Sequence, residues 1–311
     1  MQDRSLTTYL NDKRKAMDSP TSTLIQILRG RVEEQVALGD LDEALHAANA
    51  AVLKAQQILS SDLGSIDEFA SSLEVRADVL RQLGRQQEAL DDYKQAIDQL
   101  DNRPDRCNQL GRLHAGYGAI HDQLGHPERA AELWQQAIHY FETAEPPALR
   151  DIAALSNNLA YLKKSSGDID GAETQFLRAL EILHKELGPD HEETAAVSNN
   201  IGALYQAAGF HEQAREMHMM ALDARRKLFG DTHPDTAQSH NNLALALLCT
   251  GDKVWARRHF EKALLGFEAL GIEFADDLEA VANNYSEFLR EEGDIDQANE
   301  VAARSHSASI G

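Results

Sequence analysis

Only two cysteines occur in the chain, Cys107 and Cys249, and neither belongs to a CxxC or His-spaced pattern. That excludes a disulfide framework and a thiolate zinc site, and it makes a reducing compartment, the cytoplasm, the expected location. No apolar run reaches the ~18 residues that would suggest a membrane-spanning helix. The opening segment MQDRSLTTYLNDKRKAMDSP is polar and lacks the apolar stretch of a secretory signal. Proline is scarce at 7 residues and aromatics make up 6%; with few β-branched residues as well, strands are disfavoured. Phosphate-loop, nucleophile-elbow and zinc-protease motifs (GxxxxGK[ST], GxSxG, HExxH) are absent, so no catalytic residue, metal or cofactor is expected. Positive charge is also short: 30 Lys and Arg against 51 Asp and Glu give a net charge of -21. Such a surface repels polyanions, so neither nucleic acid nor an anionic membrane is an expected partner.

What the chain has in quantity is Ala, Leu, Glu, Gln and Arg, the residues of highest helix propensity, arranged in repeats. Gly39, Gly84, Gly125, Gly167, Gly209, Gly251 and Gly293 are spaced by 45, 41, 42, 42, 42 and 42 residues. Five positions after each Gly stands an Ala: Ala44, Ala89, Ala130, Ala172, Ala214, Ala256 and Ala298. Twelve after it come Ala51, Ala96, Ala137, Ala179, Ala221 and Ala263, with Ser305 closing the series. Nine after it the residue is large in the middle units (Tyr93, Trp134, Phe176, His218, Phe260) and Ala48 or Ala302 at the two ends. Weakened terminal units are what capping repeats look like.

Each unit reads as a hairpin of two helices, with the Gly ending the first helix in a left-handed conformation. The Ala positions let the second helix approach its neighbours, and the large residue fills the gap between them. Phe176, Leu177, Leu180 and Leu183 recur at helical spacing, as expected of an amphipathic second helix. The expectation is an all-α solenoid of about seven antiparallel hairpins over residues 21–311. The units run at about 24–61, 69–106, 110–149, 152–191, 194–233, 236–275 and 278–311, preceded by an N-terminal arm or extra helix at 1–20.

Units four to six read NNLAYLKKSSGDIDGAETQFLRALEILHKELGPDH, NNIGALYQAAGFHEQAREMHMMALDARRKLFGDTHPD and NNLALALLCTGDKVWARRHFEKALLGF. Small residue, Gly turn, Ala, aromatic and Ala on paired helices resembles the tetratricopeptide repeat over roughly residues 22–311. The ordinary unit of that family is about 34 residues. The longer unit here is similar to the repeats of kinesin light chains and their bacterial relatives, although units one to three lack the Asn pair. The resemblance implies a right-handed superhelix whose first helices line a concave, peptide-holding face, and it implies no motor transport, because the heptad segment of kinesin light chains is missing.

Four Asn pairs recur at a spacing of 42 residues: Asn157 with Asn158, Asn199 with Asn200, Asn241 with Asn242, and Asn283 with Asn284. A row of carboxamides, each donor and acceptor at once, suits the backbone of an extended peptide. The family resemblance points the first Asn of each pair (Asn157, Asn199, Asn241, Asn283) to the groove and leaves the second as structural. The alternative is that all eight bond neighbouring helices within the stack. Tyr161, Ala203, Leu245 and Glu287 share the face of the first set, with Lys164, Gln206 and Arg290 one turn further on. Arg225 matches a basic groove position of kinesin light chains, but its counterparts are Leu183 and Phe267, so a mixed or apolar ligand is as well suited as an acidic one. Glu74, Asp78, Ala115 and Asp122 occupy the equivalent face of units two and three, an acidic N-terminal half that argues against a clamp for a C-terminal carboxylate.

His and Asp lie close together in LGPDH (187–191) and FGDTHPD (229–235), but Gly and Pro there indicate turns whose Asp and Thr satisfy helix-end amides. His218, at an aromatic packing position, is expected in or near the core. The function expected is a non-enzymatic adaptor for a protein or peptide ligand. The competing expectation is a self-assembly module forming homo-oligomers through solenoid ends or convex faces.

Overall fold

The computed structural model describes residues 20–308. Apart from Pro20, the expected arm or extra helix at residues 1–20 lies outside them. Among the described residues there are fourteen α-helices and no strand. They are α1 (Pro20–Ala37), α2 (Leu41–Ile58), α3 (Leu63–Gln82), α4 (Gln86–Leu100), α5 (Cys107–Gln123), α6 (Pro127–Thr143) and α7 (Leu149–Ser165). The series continues with α8 (Ile169–Leu187), α9 (Glu192–Ala207), α10 (His211–Phe229), α11 (Pro234–Cys249), α12 (Lys253–Leu270), α13 (Ala275–Glu291) and α14 (Ile295–Ala308). The architecture is an all-α repeat solenoid, and its packing falls into two compact units, one through Leu155 and one from Ser156.

Every repeat Gly performs the task its position implies. The seven have φ between 72° and 84°, the left-handed region that a Cβ disfavours. The next residue's N–H then reaches back five positions to a first-helix carbonyl, as in Asp40 to Gln35, Asp168 to Lys163 and Asp252 to Leu247, each at 2.9 Å, closing a Schellman turn. That following residue often starts the second helix as well. Asp40, Asp168 and Asp252 accept from the backbone N–H of Glu43, Gly171 and Trp255, so a Gly-Asp dipeptide ends one helix and caps the next.

The Ala ladders are core. All seven residues of the first series, and Ala51, Ala96, Ala137, Ala179, Ala221 and Ala263 of the second, have no accessible surface. In the first unit Tyr93, Trp134 and Phe141 are buried, and in the second Phe176, Phe260, Phe267 and Tyr285. In two hairpins the large residue nine past the turn lies against a glycine on the first helix. A Cβ built on Gly118 would sit 2.6 Å from Trp134 Cδ1, and one on Gly202 would sit 2.7 Å from the His218 ring. We therefore expect Gly118→Val to lower stability by about 1–3 kcal/mol through overpacking, outweighing the few tenths gained in helix propensity. Urea unfolding at unchanged m-value is the measurement, and equal or higher stability would contradict this packing.

Two local expectations are corrected. Leu177 does not join Phe176 and Leu183 in the core but is 42% exposed, because adjacent residues of a helix point about 100° apart and Phe176 takes the inward position. In the turns after α8 and α10 the helix-end amides are met by histidine: His191 Nδ1 accepts from Glu193 N–H and His233 Nδ1 from Asp235 N–H, both at 3.3 Å. Beyond these segments, Thr194 in the first turn of α9 donates to the Gly188 carbonyl at 2.8 Å.

Candidate functional site

The second unit aligns the first helices α9, α11 and α13 with the part of α7 that begins at Ser156. Because residues four and then three apart share a helix face, each presents one stripe: Asn157, Tyr161, Lys164; Asn199, Ala203, Gln206; Asn241, Leu245, Leu248; and Asn283, Glu287, Arg290. The stripes are joined by side-chain amides. Asn200 Nδ2 donates to Asn157 Oδ1 at 3.0 Å, Asn242 Nδ2 to Asn199 Oδ1 at 2.9 Å, and Asn284 Nδ2 to Asn241 Oδ1 at 3.2 Å. Each rung thus links the first Asn of one hairpin to the second Asn of the next, a separation of 43 residues rather than 42.

In the two middle pairs both members are therefore used in stacking, which the sequence offered only as an alternative, and at the ends of the ladder Asn157 and Asn284 are the members that take part. Asn241 is buried, Asn157 and Asn199 are half-buried and Asn283 is exposed. Asn199 Oδ1 also meets His218 Nδ1 at 3.2 Å, and Gln238 Nε2 donates to Asn242 Oδ1 at 3.0 Å. Those two partners were missed in the sequence, since His218 reads as a packing residue and Gln238 has no repeat-wide counterpart. Burial, with the Arg225 charge adding to it, holds the His218 imidazole down at about 4, so it stays neutral at ordinary pH.

Tyr161 stands 45% exposed, its ring edge-on to Phe176 at a centroid distance of 5.4 Å. Partial burial raises its phenol above the usual range, while a hydrogen bond with Asn200 works the other way. Lys164, Gln206 and Leu245 are half-buried, and Arg290 is exposed with Nη1 donating to Ser286 Oγ at 3.3 Å. Arg225 is held locally, its Nη1 donating to Ser239 Oγ at 2.8 Å and to the Asp235 carbonyl at 3.2 Å. Burial lowers its pKa, against the favourable fields of Asp235 and Glu192. It braces α10 against α11.

On the corresponding face of the first unit Asp122 is exposed and Asp78 half-exposed, but Glu74 does not add to an acidic surface. Glu74 is buried and accepts from Arg112 Nε at 2.7 Å and from Gln109 Nε2 at 2.8 Å. Asp78 accepts from the Tyr93 hydroxyl. Neither Arg112 nor Gln109 belongs to the repeat consensus, so the sequence pattern could not reveal that the Glu74 charge is matched. Among the described residues, no three His, Cys, Asp or Glu side chains come together as metal ligands. No described helix is long and apolar enough to cross a membrane.

Comparison with known proteins bears directly on these repeats. Tetratricopeptide repeat family models match residues 151–209 and 193–269, and again residues 70–99. The chain is a tetratricopeptide repeat protein. Among solved structures, this TPR protein is similar to BtubC (BKLC) from P. vanneervenii, a kinesin-light-chain-like TPR protein. The identity is 25% and the TM-score 0.63, over 74% of this chain and 92% of that one. Apo RapI aligns with a TM-score of 0.63 at 14% identity, over 91% of this chain and 97% of that one. The C-terminal part of a TPR repeat-containing protein from Cytophaga hutchinsonii aligns with a TM-score of 0.60 at 15% identity, over 88% and 93%. The last two likenesses concern the fold alone. None of the curated proteins compared matches the chain. A TPR fold is that of a protein–protein interaction scaffold, and TPR proteins are in general non-enzymatic.

Proposed function

We propose that the second unit is a non-enzymatic adaptor module that holds an extended segment of a partner protein along its Asn-bearing face. The observation carrying this reading is the direction of the amide ladder. Each rung consumes the oxygen of a first Asn and one N–H of a second Asn. The Nδ2 group of the first Asn remains as a donor, and the Oδ1 of Asn200 and of Asn284 remains as an acceptor. Donors recurring at the repeat spacing, with an acceptor beside them in alternate repeats, are what an extended backbone asks of a binding surface without regard to its side chains. Leu245, Tyr161, Lys164, Glu287 and Arg290 beside the ladder favour a mixed ligand with apolar and charged positions.

The test is peptide selection on the purified protein followed by calorimetric titration of the selected peptides. The informative variant is Asn157→Asp with Asn199→Asp, which keeps the oxygens that accept from Asn200 and Asn242 and removes the free donors. A loss of affinity of tenfold or more, with the thermal midpoint moved by only a few degrees, is the expected result. Unchanged affinity would make the ladder stacking glue alone. Homo-oligomerisation would then be the reading to pursue, by light scattering over a range of protein concentrations.

A further inference from the structure

In five of the later hairpins the first helix packs on the second helix that precedes it: α3 on α2, α5 on α4, α9 on α8, α11 on α10 and α13 on α12. The residues fifteen before the turn glycine in these hairpins, Phe69, Leu110, Thr194, Thr236 and Leu278, are 0–2% exposed. Those twelve before it, Ser72, Leu113, Val197, Ser239 and Val281, are 0–5% exposed. In α1 the same two positions hold Leu24 and Ile27, and they are 40% and 63% exposed.

The difference isolates what covers this face. α1 packs on its own second helix, α2, as the other first helices do, and it buries Ile25 and Val32. What it lacks, among the described residues, is a helix before it. The preceding second helix is therefore the element that covers these positions elsewhere, and at α1 its seat is open. An open apolar seat is not what the end of a solenoid calls for, because a terminal repeat keeps its outer face polar to stay soluble.

We propose that residues 1–15 of this chain occupy the seat on Leu24 and Ile27 as an amphipathic helix that caps the solenoid. The segment joined to α1 has the size. Before Pro20 stand 19 residues, room for a four-residue turn like those from α8 to α9 and from α10 to α11, and for a helix as long as the 15-residue α4. It also has the pattern: Leu6, Tyr9 and Leu10 fall on one helical face, and Arg4, Thr8, Asn11 and Lys15 on the opposite one. Lys13, Arg14 and Lys15 give the segment positive charge in a chain whose net charge is -21, which favours its return to the body of the protein. A tethered segment competes at high effective concentration. A second copy would hold by two side chains, far less than the roughly 800 Å² per partner of a stable dimer.

Amide hydrogen exchange and urea unfolding of the full chain test this. A lone helix of this length is marginal in water, so docking should slow the amides of residues 7–14 by about tenfold or more relative to a synthetic peptide of residues 1–19. Leu6→Asp with Leu10→Asp should abolish that protection and lower the urea midpoint. This upstream pair removes no side chain from the described core, so its effect is not a failure to fold. Leu24→Asp with Ile27→Asp should do the same, and the four substitutions together should lower the midpoint no further than either pair alone. Amides unprotected in wild type, a midpoint unmoved by the upstream pair, or effects of the two pairs that add would overturn the proposal. So would light scattering that finds wild-type dimers dissociated by Leu24→Asp with Ile27→Asp, because a second copy would then hold the seat.

Discussion

On acidification from pH 7.5 to 5.0 the thermal midpoint should fall by on the order of 10 °C, and much of that fall should trace to buried histidines. His114, His218 and His240 are 7%, 2% and 1% exposed. Burial is the first cause that holds them down, at about 4 for His114, about 4 for His218 and about 3 for His240. His259, whose Nδ1 meets His240 Nδ1 at 2.8 Å, is also held at about 4, by burial and by the charges of Lys262 and Arg226. The unfolded chain takes up a proton at each of these sites below about pH 6.5, whereas the folded one does not. Their contribution is therefore intact above pH 6.5 and is lost as the pH falls toward 4. At pH 5 a single such imidazole costs up to about 2 kcal/mol, and for units of this size each kcal/mol moves the midpoint by roughly 2–4 °C. Relief of self-repulsion as carboxylates protonate opposes the loss. The check is His218→Phe, the residue used at the same position by Phe176 and Phe260. The variant should lose visibly less stability between pH 7.5 and 5.0, and superimposable profiles would remove His218 from the account.

Phe260→Ala is expected to remove about 3–5 kcal/mol, enough to unfold much of the second unit at 37 °C. Phe260 has no accessible surface and stacks on Tyr285 at 5.4 Å and on Phe288 at 6.0 Å. It therefore joins its own hairpin to the next one, and no neighbouring side chain can collapse into the gap without breaking those stacks. Leu177→Ala, on an exposed side chain of α8, should change stability by less than about 0.5 kcal/mol. Urea titration of both variants decides the matter. Similar losses would mean that the second helices do not bury the faces described.

Phe260 and Leu177 also mark how far the repeat pattern could be read. Spacing from the turn glycines put Phe260 and the Ala series in the core correctly, because the same environment recurs every 42 residues and selects the same residue each time. Leu177 sat next to such a position with no counterpart rule of its own, and simple helical periodicity placed it inside. Charge partners were less legible still. Glu74 looked like groove acidity until α5 brought Arg112 and Gln109 to it, and Arg76, with Asp92 as its buried partner at 2.6 Å across a hairpin, gave no sign of that pairing in the chain.

By itself the sequence determined the helical class, the seven turns, the small and large residues of the packing, and the Asn pairs. All of these are local or strictly periodic, so a one-dimensional pattern carries them. The tertiary structure alone decided the direction of the amide ladder, the local engagement of Arg225 and the neutral state of the buried histidines. Those depend on which groups meet across helices some 10 to 43 residues apart, and on how much water their meeting excludes. Neither quantity is periodic in the chain.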